Sequence, residues 1–305
     1  MTKKLIIGAR GSPLSLAQTQ TVVAALKSSR PELAIEVRPI RVSGDDLASP
    51  AQDLGLKGLF VKEIEKALLA KEIDVAVHSA KDLPQDLPEG LILGPVPPRA
   101  SVMDALVSLK GFSLTNLPKG AKIGTSSQRR AFLLNLQRPD LTIVPIRGNL
   151  QTRLNKLQDG SLTGLVLAAA GLERLNLLDY PQVVLPLERF TPAPGQGALA
   201  LEIRAQDAWV KKTLAPLNDE PSALSLAVER GAAKALGAGC QVPAGASAQP
   251  EEAGFRLWLM MTDPQKQKGY FSQSLLEGLD TVPKAQAAGW EAAQQFRRQN
   301  GLGGQ

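Results

Sequence analysis

The stretch AKIGTSSQRRAFLL, residues 121–134, joins a short apolar run to a Thr-Ser-Ser turn and then to an amphipathic segment with Arg129 and Arg130 at its start. Ala121–Ser126 has the composition of a strand, and Gln128–Leu136 has helical periodicity. The hydroxyls of Thr125, Ser126 and Ser127 suit a helix N-terminus, where backbone N–H groups lack partners. The same order of parts recurs twice. LIIGARGSPLSLAQ, residues 5–18, turns at Arg10-Gly11-Ser12, and TIVPIRGNLQTRL, residues 142–154, turns at Arg147-Gly148-Asn149 with Arg153 just inside the helix. Strands that alternate with helices predict α/β lobes with doubly wound sheets.

Further apolar runs extend this pattern outward. KLIIGA, AIEVRPIRV, IDVAVHS, LILGPV, LTIVPIRG, GLVLAAA, QVVLPL and GALALEIR read as strands. Ser15–Ser28, Gly58–Ala70 and Gln151–Gln158 read as helices between them. The proline-rich Pro95–Arg99 and the stretch TPAPGQGA, residues 191–198, read as crossings between lobes. Residues 1–98 and 198–216 then form a first domain and 99–197 a second, with a ligand cleft expected at the carboxyl ends of the strands. Residues 217–305 change character. A helix over Pro221–Leu236, a glycine-rich loop, the strands FRLWLMMT and GYFSQSLLE and a final helix predict a small α+β domain.

Composition narrows the function. The chain has 305 residues, 44% hydrophobic and 21% charged, which suits a soluble multidomain protein. No apolar run is long enough to cross a bilayer and the start carries no secretory pattern, so a cytoplasmic protein without membrane contact is expected. A single cysteine and a single histidine, His78, argue against a metal centre. The net charge of +6 fits either nucleic acid or a small, highly anionic ligand. Aromatic residues make up only 4%, which leaves few stacking surfaces for single strands.

The arginines favour the small anion. A guanidinium beside a capped helix start offers a planar fork and free N–H groups to a carboxylate or phosphate. Between Ala121 and Asn155 stand Lys122, Arg129, Arg130, Arg138, Arg147 and Arg153 against one acid, Asp140. In IDVAVHSAKDLP, residues 73–84, a buried strand ends in a polar turn. Asp82 there is either a turn cap or an acid/base carboxylate, with Lys81 as an anion contact. DLGLKGLFVKEIEKALLAK, residues 53–71, has a glycine-broken front and a helical back in which Phe60 or Val61, Ile64 and Leu68 share a face. Gly44–Gly58, with Lys57 near its end, reads as a mobile loop over the cleft or as a plain flexible loop. Cys240 lies in GAGCQVPAG, residues 237–245, among small residues that let a bulky group approach its sulfur.

Together these motifs resemble the porphobilinogen deaminase (hydroxymethylbilane synthase) family. ARGSPLSLAQ, GLKGLFVKEIE, DVAVHSAKDLP, GTSSQRRA, RGNLQTRLNKL, AAAGLERL, PAPGQGAL and GAGCQVPAGA stand in the family's order and near its spacing, over essentially the whole chain. The resemblance implies two lobes like those of type II periplasmic binding proteins plus a small C-terminal α+β domain. It implies a dipyrromethane cofactor, attached to Cys240 by a thioether, and no metal. The implied reaction joins four porphobilinogens head to tail and releases ammonia, and Asp82 stabilises positive charge on the pyrrole nitrogens. Each pyrrole carries two carboxylates. The resemblance therefore makes Lys81, Ser12, Thr125, Ser127, Arg129, Arg130, Arg147 and Gly148 contacts of the cofactor. It makes Arg10, Arg147, Arg153 and Arg174 contacts of the substrate chain.

Two stretches depart from the family pattern. PRASVMDAL, residues 98–106, keeps Arg99, Asp104 and Ala105 but lacks the family's other acids and second arginine, so Arg99 carries over only as a cleft contact. Glu173 replaces a common basic residue before Arg174. A monomer acting on porphobilinogen, without nucleic acid, is the resulting expectation. A non-catalytic two-lobed solute binder is the rival.

Overall fold

The computed structural model describes residues 3–42, 61–237, 243–263 and 268–302. Two compact units emerge, Met1–Ala100 with Ala198–Ala223, and Ser101–Gly197 with Leu224–Gln305.

The first unit begins with β1 (Leu5–Arg10), α1 (Pro13–Ser29), β2 (Ile35–Ile40), α2 (Lys62–Leu69), β3 (Val75–Ser79) and β4 (Leu91–Leu93). In the second unit follow β5 (Asp104–Val107), β6 (Lys122–Gly124), α3 (Gln128–Gln137), β7 (Thr142–Val144), α4 (Leu150–Gln158), β8 (Gly164–Ala168), α5 (Ala169–Arg174) and β9 (Gln182–Val184). The chain then supplies β10 (Leu199–Arg204) and α6 (Ala208–Leu214) to the first unit. It closes with α7 (Glu220–Ala235), β11 (Ala244–Glu251), β12 (Gly254–Asp263), β13 (Lys268–Leu276) and α8 (Val282–Gln299).

The two α/β sheets follow one plan. Their orders are β2-β1-β3-β10-β4 and β7-β6-β8-β5-β9. In each, the first three positions pair in parallel, and the fourth strand runs antiparallel to both neighbours. That fourth strand is the one reached after a crossing, β10 in the first sheet and β5 in the second. The sheets are therefore mixed rather than wholly parallel, and the two expected α/β lobes are present. β5 was not anticipated, because DALV is too short to show a period.

Alternation along each strand divides the side chains between two faces. In the first sheet Val75, Val77, Leu199, Leu201 and Ile203 pack with Val22 and Leu26 of α1 and Val210 and Leu214 of α6. Ala76 faces the other way, into a core with Ile64, Ala67 and Leu68 of α2. By the same period His78, Ala200 and Glu202 fall on the α2 side. The second sheet is covered likewise. Leu106, Ile123 and Val166 meet Leu133 and Leu134 of α3, and Val107, Leu165 and Leu167 meet Leu154 and Leu157 of α4.

The C-terminal elements have a core of their own. β11, β12 and β13 form an antiparallel sheet, and Leu257 and Leu259 pack with Val228 and Ala232 of α7 and Ala293 and Phe296 of α8. Met260, on the opposite face of β12, joins the Leu133–Phe190 core of the second lobe. The strand β11 escaped the sequence reading, since AGASAQPE is built of small and polar residues. Glu229, fully buried on α7, anchors it, accepting from Ala248 N–H at 2.8 Å and also from Gly195 N–H at 2.7 Å.

Candidate functional site

In the first unit the expected residues gather at the carboxyl ends of β1 and β3. Arg10 ends β1 and is half-buried. Ser12 caps α1, with Oγ accepting from Ser15 N–H at 3.4 Å, and Pro13 opens the helix where no N–H is needed. β3 runs into a single tight turn over Ala80–Asp82. Ala80 N–H donates to Ala198 O at 3.0 Å, and the Leu83 side chain is 1% exposed, so both ends of this turn are pinned while Asp82 faces solvent. Gln18 of α1 donates to Ser79 Oγ at 2.8 Å and ties the helix to the end of β3. Neither Gln18 nor Ser79 was singled out from sequence. The available signal was a glutamine on the buried side of α1, only 3% exposed.

In the second unit two helix starts lie side by side. Ser127 caps α3, accepting from Arg130 N–H at 3.4 Å, and Thr125 Oγ1 accepts from Ser127 N–H at 3.2 Å. Asn149 caps α4, accepting from Thr152 N–H at 2.9 Å. Ser126 Oγ staples the turns to each other, donating to Ile146 O and accepting from Ile146 N–H at 3.1 Å. Gly148 has φ +101, and a Cβ there would stand 2.8 Å from Thr152 Cγ2, so the turn requires glycine. Arg147 is exposed, and Arg153 folds back to donate to Gly148 O at 2.9 Å. The two helix starts thus present polar N–H and hydroxyl groups with Arg147 beside them, a donor set suited to carboxylates. Arg174, at the end of α5, donates to Gly197 O at 2.6 Å, and burial pulls its basicity down against the opposing charge of Glu173.

Arg129 and Arg130 have a different setting from the one the local sequence suggests. Their side chains are 6% and 9% exposed and converge on Asp104, which is fully buried on β5. Arg129 Nη2 donates to Oδ2 at 2.8 Å, and Arg130 donates to Oδ1 through Nε at 3.0 Å and Nη2 at 2.7 Å. Gln196 donates to the same Oδ1 at 2.8 Å, and Arg129 also reaches Thr191 O at 2.8 Å. Burial pushes the Asp104 carboxyl up, but the two guanidiniums and the hydrogen bonds of Arg130 and Gln196 outweigh it. They hold the group well below the usual carboxylate range. Arg138 is likewise paired, with Asp140 at 2.7 Å. The basic surplus between Ala121 and Asn155 is therefore smaller in space than along the chain. Sequence reasoning named Asp104 only as a retained residue of the 98–106 stretch and assigned a role neither to it nor to Gln196.

Arg99 is half-buried, and its N–H donates to Ser222 Oγ at 3.0 Å. Cys240, Phe60 and the Gly44–Gly58 stretch with Lys57 lie outside the described residues. The chain from Pro243 onward is firmly seated, with Ala246 N–H donating to Pro192 O at 3.0 Å and Thr262 N–H to Pro243 O at 3.1 Å. Among the described residues no group of His, Cys, Asp and Glu could hold a metal ion, and no helix is long and apolar enough to cross a membrane.

Comparison with known proteins adds independent findings. The family model described as porphobilinogen deaminase, dipyromethane cofactor binding domain, matches residues 5–212. A curated porphobilinogen deaminase of Syntrophomonas wolfei is 41% identical over 300 residues, covering 98% of this chain and 97% of the relative. That of Roseiflexus sp. strain RS-1 is 48% identical over 252 residues, covering 82% and 83%. That of Chlorobium phaeovibrioides is 40% identical over 300 residues, covering 98% and 96%. With a matched cofactor-binding domain over most of its length and relatives of this identity end to end, the chain belongs to the porphobilinogen deaminase family.

Proposed function

We propose that this chain condenses four porphobilinogens head to tail with release of ammonia, using Asp82 as its working carboxylate and Cys240 as the cofactor attachment point. The observation that carries this reading is the setting of Asp82. It stands exposed on a turn fixed by the Ala80–Ala198 hydrogen bond and buried Leu83, beside the Arg10–Ser12 turn. A carboxylate so held accepts hydrogen bonds from pyrrole N–H groups, steadies positive charge that develops there, and takes up the proton lost from the carbon that forms the new bond.

The dipyrromethane, when bound, supplies the nucleophilic free α-carbon from which the chain grows. Its carboxylates suit the capped helix starts of α3 and α4 through Thr125, Ser127, Arg147 and Gly148, and suit Lys81 and Ser12 in the first unit. Arg129 and Arg130 serve the same carboxylates from beneath the Thr125–Ser127 turn, with Asp104 holding their forks. Arg10, Arg147, Arg153 and Arg174 hold the acetates and propionates of incoming and added rings. Lys57, Phe60 and Arg99 complete the reading as lid and cleft contacts.

The domain reading is three-part, 1–98 with 198–216, 99–197, and 217–305. It is supported by the separate core of the C-terminal sheet. The protein acts as a cytoplasmic monomer without nucleic acid. In favour of this, Arg129, Arg130 and Arg138 are tied to acids within the lobe rather than spread as a continuous basic strip.

Intact mass of the purified chain tests the attachment. The added mass of two pyrrole units is expected in the wild type and absent in Cys240→Ser. An adduct that survives in the variant refutes the assignment. Asp82→Ala is expected to keep the fold and lose most turnover, and wild-type rates there refute the role of Asp82.

A further inference from the structure

The only histidine of the chain is buried behind the Asp82 turn. His78 is 6% exposed, and its Nε2 lies 3.1 Å from Glu202 Oε2 on the neighbouring strand β10. Glu202 is fully buried, and Glu65, from α2 packed across the same face, is 7% exposed. One oxygen of each carboxylate, Glu65 Oε1 and Glu202 Oε1, is buried without a hydrogen-bond partner. Two ionised carboxylates do not share an apolar face with unpartnered oxygens at low cost, and one retained proton removes the conflict. Burial pushes the Glu65 carboxyl up and the charge of Glu202 adds to it, while His78 and then Lys62 oppose.

The position of this cluster gives it a task. His78 is the penultimate residue of β3, and Ser79 and Ala80 lead directly into Lys81 and Asp82. β3 and β10 are in register there, His78 opposite Ala200 and Ser79 opposite Leu199. The His78–Glu202 bond is thus a side-chain tie between the two strands just before the turn departs.

We propose that His78 is a positioning residue for Asp82: its Nε2 donates to Glu202, Glu65 closes the cluster from α2, and the triad fixes the end of β3 that launches the Lys81–Asp82 turn. The inference rests on Asp82 as the working carboxylate. Small displacements of a reacting group are costly, so loosening the tie acts on turnover more than on binding.

The test uses the full chain with its cofactor, loading being checked by intact mass. His78→Asn and Glu202→Gln are each expected to lower kcat at least tenfold with KM within twofold. A smaller fall, or a loss carried by KM, overturns the proposal. In an Asp82→Glu background, which retains a carboxylate, the same changes should lower kcat less than twofold further. Losses that multiply instead point to general loosening of the fold and overturn it. Should Asp82→Ala alone leave kcat unchanged, the Asp82 reading itself has failed, which separates the two ideas. A check without variants is selective 15N-histidine labelling, which reports one ring only. A proton bonded to Nε2 and protected from exchange is expected, and an Nε2 that bears none overturns the assignment.

Discussion

Replacing Asp104 with Asn should destabilise the second lobe. The side chain keeps its shape but loses its charge, and its amide nitrogen presents donors where Arg129, Arg130 or Gln196 already donate. Two guanidiniums, 6% and 9% exposed, are then left without the charge that balances them. Removing one partner of a buried ion pair costs about 3–5 kcal/mol. For a unit of this size each kcal/mol moves the melting temperature by about 2–4 °C. A fall of roughly 6–20 °C in thermal unfolding follows, worked from those two ranges. The exposed pair Lys284–Asp280 provides the control, since breaking a solvent-facing pair costs about 0–1 kcal/mol. The dependence on pH has a definite sign. Asp104 titrates lower in the folded protein than in the unfolded chain, so its contribution is complete above the unfolded value near ~4 and declines as acid is added below it. The variant should therefore show a flatter stability profile below about pH 4 than the wild type. An Asp104→Asn protein that melts within 2 °C of the wild type, roughly the resolution of such a scan, would refute the view that Asp104 anchors the two arginines.

Gly148→Ala places a Cβ against Thr152 at a backbone angle that L-residues avoid, and should cost about 1–3 kcal/mol together with a raised KM for porphobilinogen, read by melting and steady-state kinetics. Unchanged KM would separate this turn from the substrate. Glu65→Gln should raise stability at neutral pH relative to pH 4. The native carboxyl holds its proton more tightly than the unfolded chain does, so wild-type stability falls as pH rises from the unfolded value toward the folded one, and the amide removes that slope. Parallel stability profiles of variant and wild type would contradict it. Asp82→Ala, a change at an exposed turn residue, should leave melting within about 0.5 kcal/mol of wild type while turnover collapses.

Much of the architecture was legible because its signals are local. Ser12, Ser127 and Asn149 cap the helices that their sequence context announces, and Gly148 occupies the one backbone conformation that demands it. Strands built of Val, Ile and Leu stood out, whereas β5 and β11 did not, one being four residues long and the other rich in Ala, Gly and Ser. The similarity of the two lobes was also hidden. It resides in strand order and direction, which residues of quite different identity satisfy equally.

By itself the sequence determined the class of the lobes, the place of the turns that carry Arg10, Asp82 and Arg147, and the family, because each rests on residues adjacent along the chain. Only the tertiary structure decided which charges meet. Asp104 finds Arg129 and Arg130 because β5 enters the second sheet from a crossing, and His78 finds Glu202 across 124 residues because β10 returns to lie beside β3. A charged side chain carries no mark of its partner, so the pairing is fixed by topology and by the low-dielectric core that makes an unpaired charge intolerable.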